Sequence, residues 1–199
     1  TKISFIGAGN YASRTLMPAF NSAGFEFVSL MTKGGISGKQ FGDEFKFEKI
    51  TNNLDEILKD DSDLVVIATR HNMHAEQCIA CLNADKDVFV EKPLALNIGE
   101  LNDIENKIKT SNKRLMVGFN RRFSPQITKI KNYLDKLNSS KSFIYTINAG
   151  YIDGEHWTHD KSVGGGRIIG EACHFLDLIK YLSGGNISSI NSMYLDPNT

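Results

Sequence analysis

Apolar residues follow two rhythms along this chain. Short, mostly apolar stretches occur over residues 2–6 (KISFI), 25–31, 64–69 (LVVIAT), 88–90 and 115–118. Such stretches mark strands buried on both faces. Between them, apolar positions recur at helical spacing. Leu16, Ala19, Phe20 and Ala23 predict a helix over residues 10–23, stopped by Gly24. Residues 33–38 read as a glycine-rich loop, followed by a short helix carrying Phe41 and Phe45. Helices also fit residues 54–59, residues 74–84 and the run Leu101, Ile104, Ile108. Strand alternating with helix through short links is the pattern of a doubly wound α/β fold, a parallel sheet covered by helices.

The rhythm changes near residue 120. Ile127, Ile130, Leu134 and Leu137 mark a helix, residues 142–151 alternate like a long strand, and a loop follows holding Glu155, His156, Trp157 and His159. After Gly164, Gly165 and Gly166 comes a helix over 171–182, stopped by Gly184 and Gly185, and a last strand over 187–194. These patterns predict one α/β domain over 1–120 and a second α/β domain over 121–199.

The string Gly7-Ala8-Gly9-Asn10-Tyr11-Ala12 lies between the first strand and the first helix. There a Rossmann turn has a physical task. Gly7 permits the tight turn, Gly9 lets backbone approach a pyrophosphate, and Ala12 allows close helix–strand packing. The helix N-terminus then offers N–H groups to the phosphates. The end of the second strand holds Thr32 and Lys33 where an acidic residue would meet a free ribose diol. A hydroxyl and an ammonium favour NADP over NAD, with both cofactors kept open.

Composition narrows the class. Of 199 residues, 41% are hydrophobic, and 23 Lys plus Arg balance 23 Asp plus Glu. Zero net charge argues against a nucleic-acid binder. The apolar runs fall far short of the ~20 residues that cross a membrane. Three cysteines are too few for a disulfide framework, which fits the cytoplasm. Cys78 and Cys81 fall inside a predicted helix, where they read as small buried residues rather than a redox pair. The chain opens on Thr1 without a signal-peptide pattern, as expected of a processed chain, an engineered piece or the downstream part of a longer protein.

Four motifs stand in order: A-T-R-H-N-M-H (68–74), E-K-P (91–93), G-F-N-R-R-F (118–123) and G-G-G-R-I-I-G-E-A-C-H-F-L-D (164–177). Together they resemble the Gfo/Idh/MocA family of glucose–fructose oxidoreductase and inositol dehydrogenase, including fused two-part members. The resemblance implies a Rossmann domain followed by an α/β domain with a large open sheet, expected to be incomplete within residues 121–199. It implies NAD(P)-dependent hydride transfer to or from a sugar or cyclitol hydroxyl. It makes Lys92 the acid/base, His174 its assistant, and Glu171 a substitute for the aspartate that the family often has where Gly170 stands. Cofactor contacts are expected from Gly7, Gly9, Asn10, Tyr11, Ala12, Thr32, Lys33, Ala68, Thr69, Arg70, His74, Glu91 and Lys92. Substrate contacts are expected from Asn120, Arg121, His156, Trp157 and Asp177. The family needs no metal, and His156-x-x-His159 with His174 is a weak zinc pattern. For His174 the plain alternative is a core histidine bonded to Asp177. For the whole chain it is a nucleotide-binding module without turnover. The partners expected are a small-molecule sugar and, through the second sheet, further copies of the chain.

Overall fold

The computed structural model describes residues 1–193. Its centre is a six-stranded, all-parallel sheet in the order β3-β2-β1-β4-β5-β6. The strands are β1 (Lys2–Ile6), β2 (Glu26–Met31), β3 (Lys49–Thr51), β4 (Leu64–Ile67), β5 (Asp87–Val90) and β6 (Leu115–Val117). The helices that follow the first five are α1 (Met17–Ser22), α2 (Gly35–Phe45), α3 (Leu54–Lys59), α4 (His74–Asn83) and α5 (Ile98–Lys109). This is the doubly wound Rossmann arrangement that the alternating pattern predicts.

Register positions the site. Ile6 pairs with Ile67, Ile67 with Val90, and Val90 with Val117. The carboxyl ends of four strands are therefore level, and Gly7, Ala68, Glu91 and Gly118 begin their loops along one rim. Four backbone bonds stitch that rim: Gly7 N–H to Met31 O, Ala68 N–H to Ile6 O, Glu91 N–H to Ile67 O and Gly118 N–H to Val90 O, at 2.8–2.9 Å.

Two cores flank the sheet. One face packs Ile57 of α3, Cys78, Cys81 and Leu82 of α4 and Ile104 of α5 onto Ile6, Val65, Ile67, Val88 and Val90. Burial pushes both thiols up to about 12, so neither is a reactive thiolate at neutral pH. The other face is aromatic. Phe5 stacks on Phe27 and meets Phe20 and Phe47 edge-on, all with centroids within 5.9 Å.

At the opposite rim Lys86 is almost fully buried. Its Nζ donates to Asp60 Oδ1 at 3.0 Å, Asp60 O at 2.8 Å and Ser62 O at 2.9 Å. Ser4 Oγ donates to Asp60 Oδ2 at 2.6 Å and accepts from Ser29 N–H at 3.1 Å. Burial alone would raise the Asp60 pKa, but bonds from Ser4, Ser62 and Lys86 hold it below the carboxylate range.

Several expectations change. The strand β3 is short and its Ile50 is half-exposed, so it shows no apolar run. Helix α2 starts at Gly35, inside the expected loop. In the first helix Ala19 and Ala23 are exposed, and the buried positions are Ala12, Ser13, Leu16 and Met17. The reason is a π-helical turn over Ala12–Leu16, whose wider winding rotates the buried face. The expected strands over 142–151 and 187–194 form no ladder among the described residues, and Tyr194 lies outside them. A strand persists only where a neighbour takes its backbone bonds, and side chains such as Ile144 and Ile190 stand exposed. The open second sheet is therefore absent from the described residues.

Contacts divide the chain into two units, residues 1–119 with Tyr151–Cys173, and residues 120–150 with those from His174 on. The expected single cut near residue 120 thus misses a segment that returns. Asn72 N–H bonds to Val163 O at 3.1 Å, and Lys92 Nζ to Gly170 O at 2.8 Å. The second unit contains α6 (Pro125–Leu134), begun by Ser124 as N-cap, and most of α7 (Cys173–Ser183). Within it Arg122 forms a two-pronged ion pair with Asp177 and lies over the Tyr181 ring.

Removing the Asp60 carboxylate would strand a buried ammonium. We expect Asp60→Ala to lower stability by about 3 kcal/mol or more, read as a lower urea midpoint at unchanged slope.

Candidate active site

Above the level rim of the first unit lies a cavity of about 890 Å³, within the range of small-molecule and cofactor sites. Its floor is the glycine turn. Gly7 has φ +101°, and a Cβ there would lie 2.5 Å from Ala68 O, so only glycine lets these two strand ends close up. A Cβ on Gly9 would meet nothing within 4 Å; this backbone is open toward the cavity. Ala12 is buried beneath the turn. The bare turn, the space above Gly9 and the cavity size fit a dinucleotide.

The expected cofactor residues Gly7, Gly9, Asn10, Thr32, Lys33, Ala68, Thr69 and Arg70 all line this cavity. Tyr11, Ala12, His74, Glu91 and Lys92 do not. Of the lining residues only Lys33 and Arg70 carry charge, and both are cationic. Thr32 Oγ1 donates to Gly34 O at 2.8 Å. Trp157, expected against the substrate, lines this same cavity; the Arg70 guanidinium lies 5.5 Å from its ring and His71 meets it edge-on at 4.8 Å. Asn72, Met73, Gln77 and Val163 also line it and were not anticipated. Gln77 had a sequence signal: it is an amide on the buried side of α4, where Thr69 Oγ1 donates to its Oε1 at 2.7 Å.

His74 is fully buried, and its ring nitrogens lie 2.7 Å from Pro93 O and 3.2 Å from Thr69 O. It ties the ends of β4 and β5 together rather than facing the cavity, and burial lowers its pKa. His71 is nearly buried, with Nδ1 2.8 Å from Gly164 O. Burial, opposed by that bond, pushes it down to about 4, so the ring is neutral near pH 7.

Lys92 stands after β5. Its Nζ donates to Gly170 O at 2.8 Å and lies 3.4 Å from Glu171 Oε2, with 17% of the side chain exposed. Glu91 is pushed up to about 7 by burial, against the Lys92 backbone N–H and charge. Its Oε1 is buried without a hydrogen-bond partner, and a Cβ on Gly118 would come within 2.5 Å of it. His156 is exposed and bonds Thr158 Oγ1 through Nδ1 at 3.0 Å. In the second unit, His174 is buried, Arg121 lies 4.6 Å from the Phe175 ring, and Asp177 pairs with Arg122. Asn120 opens a 3₁₀ turn there. Among the described residues no three His, Cys, Asp or Glu side chains gather as a metal site.

Two outcomes follow. Gly7→Ala would force backbone apart at the cavity floor; we expect a loss of about 1–3 kcal/mol in chemical denaturation, together with weaker dinucleotide binding. For His71, the unfolded chain takes up a proton near pH 6.5 and the folded chain only near 4. Its contribution to stability is therefore fully present above pH 6.5 and falls as pH drops toward 4. Glu91 acts in the opposite sense between about 7 and its usual range. The His71 share is read as the difference between wild type and His71→Asn, expected to change by at most about 3 kcal/mol across that window.

The comparisons agree with this geometry. The model of the Gfo/Idh/MocA oxidoreductase family, described as an NAD-binding Rossmann fold, matches residues 1–119. The scyllo-inositol 2-dehydrogenase (NAD(+)) of Bacillus subtilis strain 168 is 30% identical over 187 residues, 92% of this chain and 53% of that protein. The 4-carboxy-2-hydroxymuconate-6-semialdehyde dehydrogenase of Sphingobium sp. strain SYK-6 is 34% identical over 132 residues, 66% of this chain and 42% of that protein. The chain thus spans about half the length of the curated relatives it matches. Among solved structures, levoglucosan dehydrogenase in complex with NADH and levoglucosan superposes with a TM-score of 0.77 at 26% identity, covering 92% of this chain and 54% of that one. The glycine turn, the level rim and the family match over residues 1–119 coincide, and the chain belongs to the Gfo/Idh/MocA oxidoreductases with an NAD-binding Rossmann fold.

Proposed function

We propose that the chain serves an NAD(P)-dependent oxidoreductase that moves a hydride between the nicotinamide and a hydroxyl-bearing carbon of a sugar or cyclitol. The observation that carries this reading is the cavity over Gly7 and Gly9, with Lys92 placed after the neighbouring strand. The relatives' names, scyllo-inositol 2-dehydrogenase and levoglucosan dehydrogenase, support the substrate class.

In this reading the glycine turn receives the pyrophosphate, and Thr32 and Lys33 receive the adenosine ribose. Lys33 and Arg70, the two charges of the cavity, suit the extra phosphate of NADP better than a free diol. The bound nicotinamide supplies the hydride acceptor in one direction and the donor in the other. As the neutral amine, Lys92 takes the hydroxyl proton as the hydride leaves the same carbon; as the ammonium so formed, it returns that proton in the reverse reaction. Glu171 holds the Lys92 ammonium from the side, in place of an aspartate at 170, and His174 assists with the substrate. Glu91 and His74 act on the Lys92 segment without reaching the cavity. Asn120, Arg121, His156 and Asp177 are the substrate-side candidates, and Trp157 serves the cofactor side as well. A cytoplasmic homo-oligomer belongs to the same proposal.

The test is titration with NADPH and NADH, following energy transfer from Trp157, the only tryptophan. We expect micromolar binding with strong transfer, NADPH the tighter; no binding by fluorescence or calorimetry removes the reading. In a screen of scyllo-inositol, levoglucosan and related polyols, Lys92→Ala should retain cofactor binding and lose about 10²–10⁴-fold in turnover.

A further inference from the structure

Position 170 and His71 share one volume. A Cβ added at Gly170 would lie 3.1 Å from His71 Cε1 and 3.3 Å from His71 Nδ1, and 3.0 Å from Gly164 O. The imidazole therefore occupies the space of a side chain at 170. The same Gly170 gives its carbonyl to Lys92 Nζ at 2.8 Å. Gly164, whose carbonyl also borders that volume, accepts the His71 Nδ1 bond at 2.8 Å. A carbonyl only accepts, so Nδ1 carries the proton.

The ring has little freedom. Trp157 meets it edge-on at 4.8 Å and His74 lies at 5.7 Å. A neighbouring main-chain bond, Asn72 N–H to Val163 O, holds the same two segments together. A larger side chain at 170 would displace the imidazole; a smaller one at 71 would leave Gly170 without a wall. The charged groups around the ring are Lys92 and Glu171, with His74 behind it.

We propose that His71 is a positioning residue for Lys92: its ring, bonded to Gly164 O and packed on Gly170, fixes the Gly170 carbonyl that aims the Lys92 ammonium. The proposal rests on the reading of Lys92 as the acid/base, and it accounts for the glycine at 170. Packing at 71 replaces a side chain at 170, and the backbone carbonyl takes over the contact to the amine.

The experiment uses the full chain and needs no substrate. Lysines are labelled with a trace of acetic anhydride, and rates at Lys92 and Lys86 are read by mass spectrometry in wild type, His71→Ala, His71→Asn and Gly170→Ala. Lys86 is buried in a separate network and reports general loosening. A charge-assisted hydrogen bond lost at Lys92 should speed its labelling by about tenfold or more in His71→Ala, with Lys86 unchanged. Asparagine can donate to Gly164 O as Nδ1 does, so His71→Asn should remain within about twofold of wild type. Gly170→Ala, which crowds the ring without removing it, should also speed Lys92. If His71→Ala does not fold, His71→Asn and Gly170→Ala decide by the same criteria. Unchanged Lys92 labelling in His71→Ala or Gly170→Ala, labelling in His71→Asn as fast as that expected for His71→Ala, or Lys86 rising in step with Lys92 overturns the proposal. NADPH binding, measured by calorimetry on the same samples, separates this result from the oxidoreductase reading. Loss of binding in wild type defeats that reading, while the labelling still decides whether His71 aims Lys92.

Discussion

Everything functional in the first unit depends on a parallel ladder in register. Ile6, Ile67, Val90 and Val117 lie in one row across four strands. Parallel strands all deliver their carboxyl ends to the same side, and the row makes those ends level. Four loops that are far apart in sequence therefore begin within one strip: the glycine turn, the histidine loop, the Glu-Lys-Pro segment and the glycine that follows β6. A slip of one residue in any strand would reverse its side chains and withdraw its loop from the strip. The cavity is a consequence of this register, and its chemistry is the set of residues that happen to come next.

Close packing then decides what each loop can hold. Gly7 against Ala68 O, Gly118 against Glu91, and Gly170 against His71 are three places where a missing side chain admits something else. At Gly7 it admits neighbouring backbone. At Gly118 it admits a carboxyl group that burial keeps near neutrality in its proton affinity. At Gly170 it admits an imidazole. The glycines of the site are shaped by what approaches them.

The sequence carried the first unit well because its signals are local. A buried parallel strand is apolar along most of its length, and a tight turn before a helix needs glycine, so β1, β4, β5 and the Gly7 turn are legible. Strand β3 was not, because three residues at a sheet edge with an exposed Ile50 leave no pattern. The π-helical turn at Ala12–Leu16 was invisible to a 3.6-residue period, and it moved the buried face from Ala19 and Ala23 to Ser13 and Met17. Among candidate site residues, those in the glycine turn could be placed because backbone geometry fixes them. His74 and Trp157 could not. One is buried between two carbonyls and the other lines the cavity above the glycine turn, and both facts arise from contacts between distant segments. The alternation over residues 142–151 and 187–194 predicts strands that are absent from the described residues, because strand formation depends on a neighbouring strand, which alternation does not supply.

The node around Lys86 lies far from this chemistry, at the other rim of the sheet. It joins Ser4 of β1, the segment before β4 through Asp60 and Ser62, and the residue that introduces β5. The ammonium arrives last in the chain, after its partners are already in place. Until it does, Asp60 has only hydroxyl and backbone donors for a carboxylate that must leave water, a costly arrangement. The node therefore couples the seating of β1 and β4 to the residue that introduces β5: a sheet closed over Asp60 without Lys86 would hold a carboxylate out of water with no counter-charge.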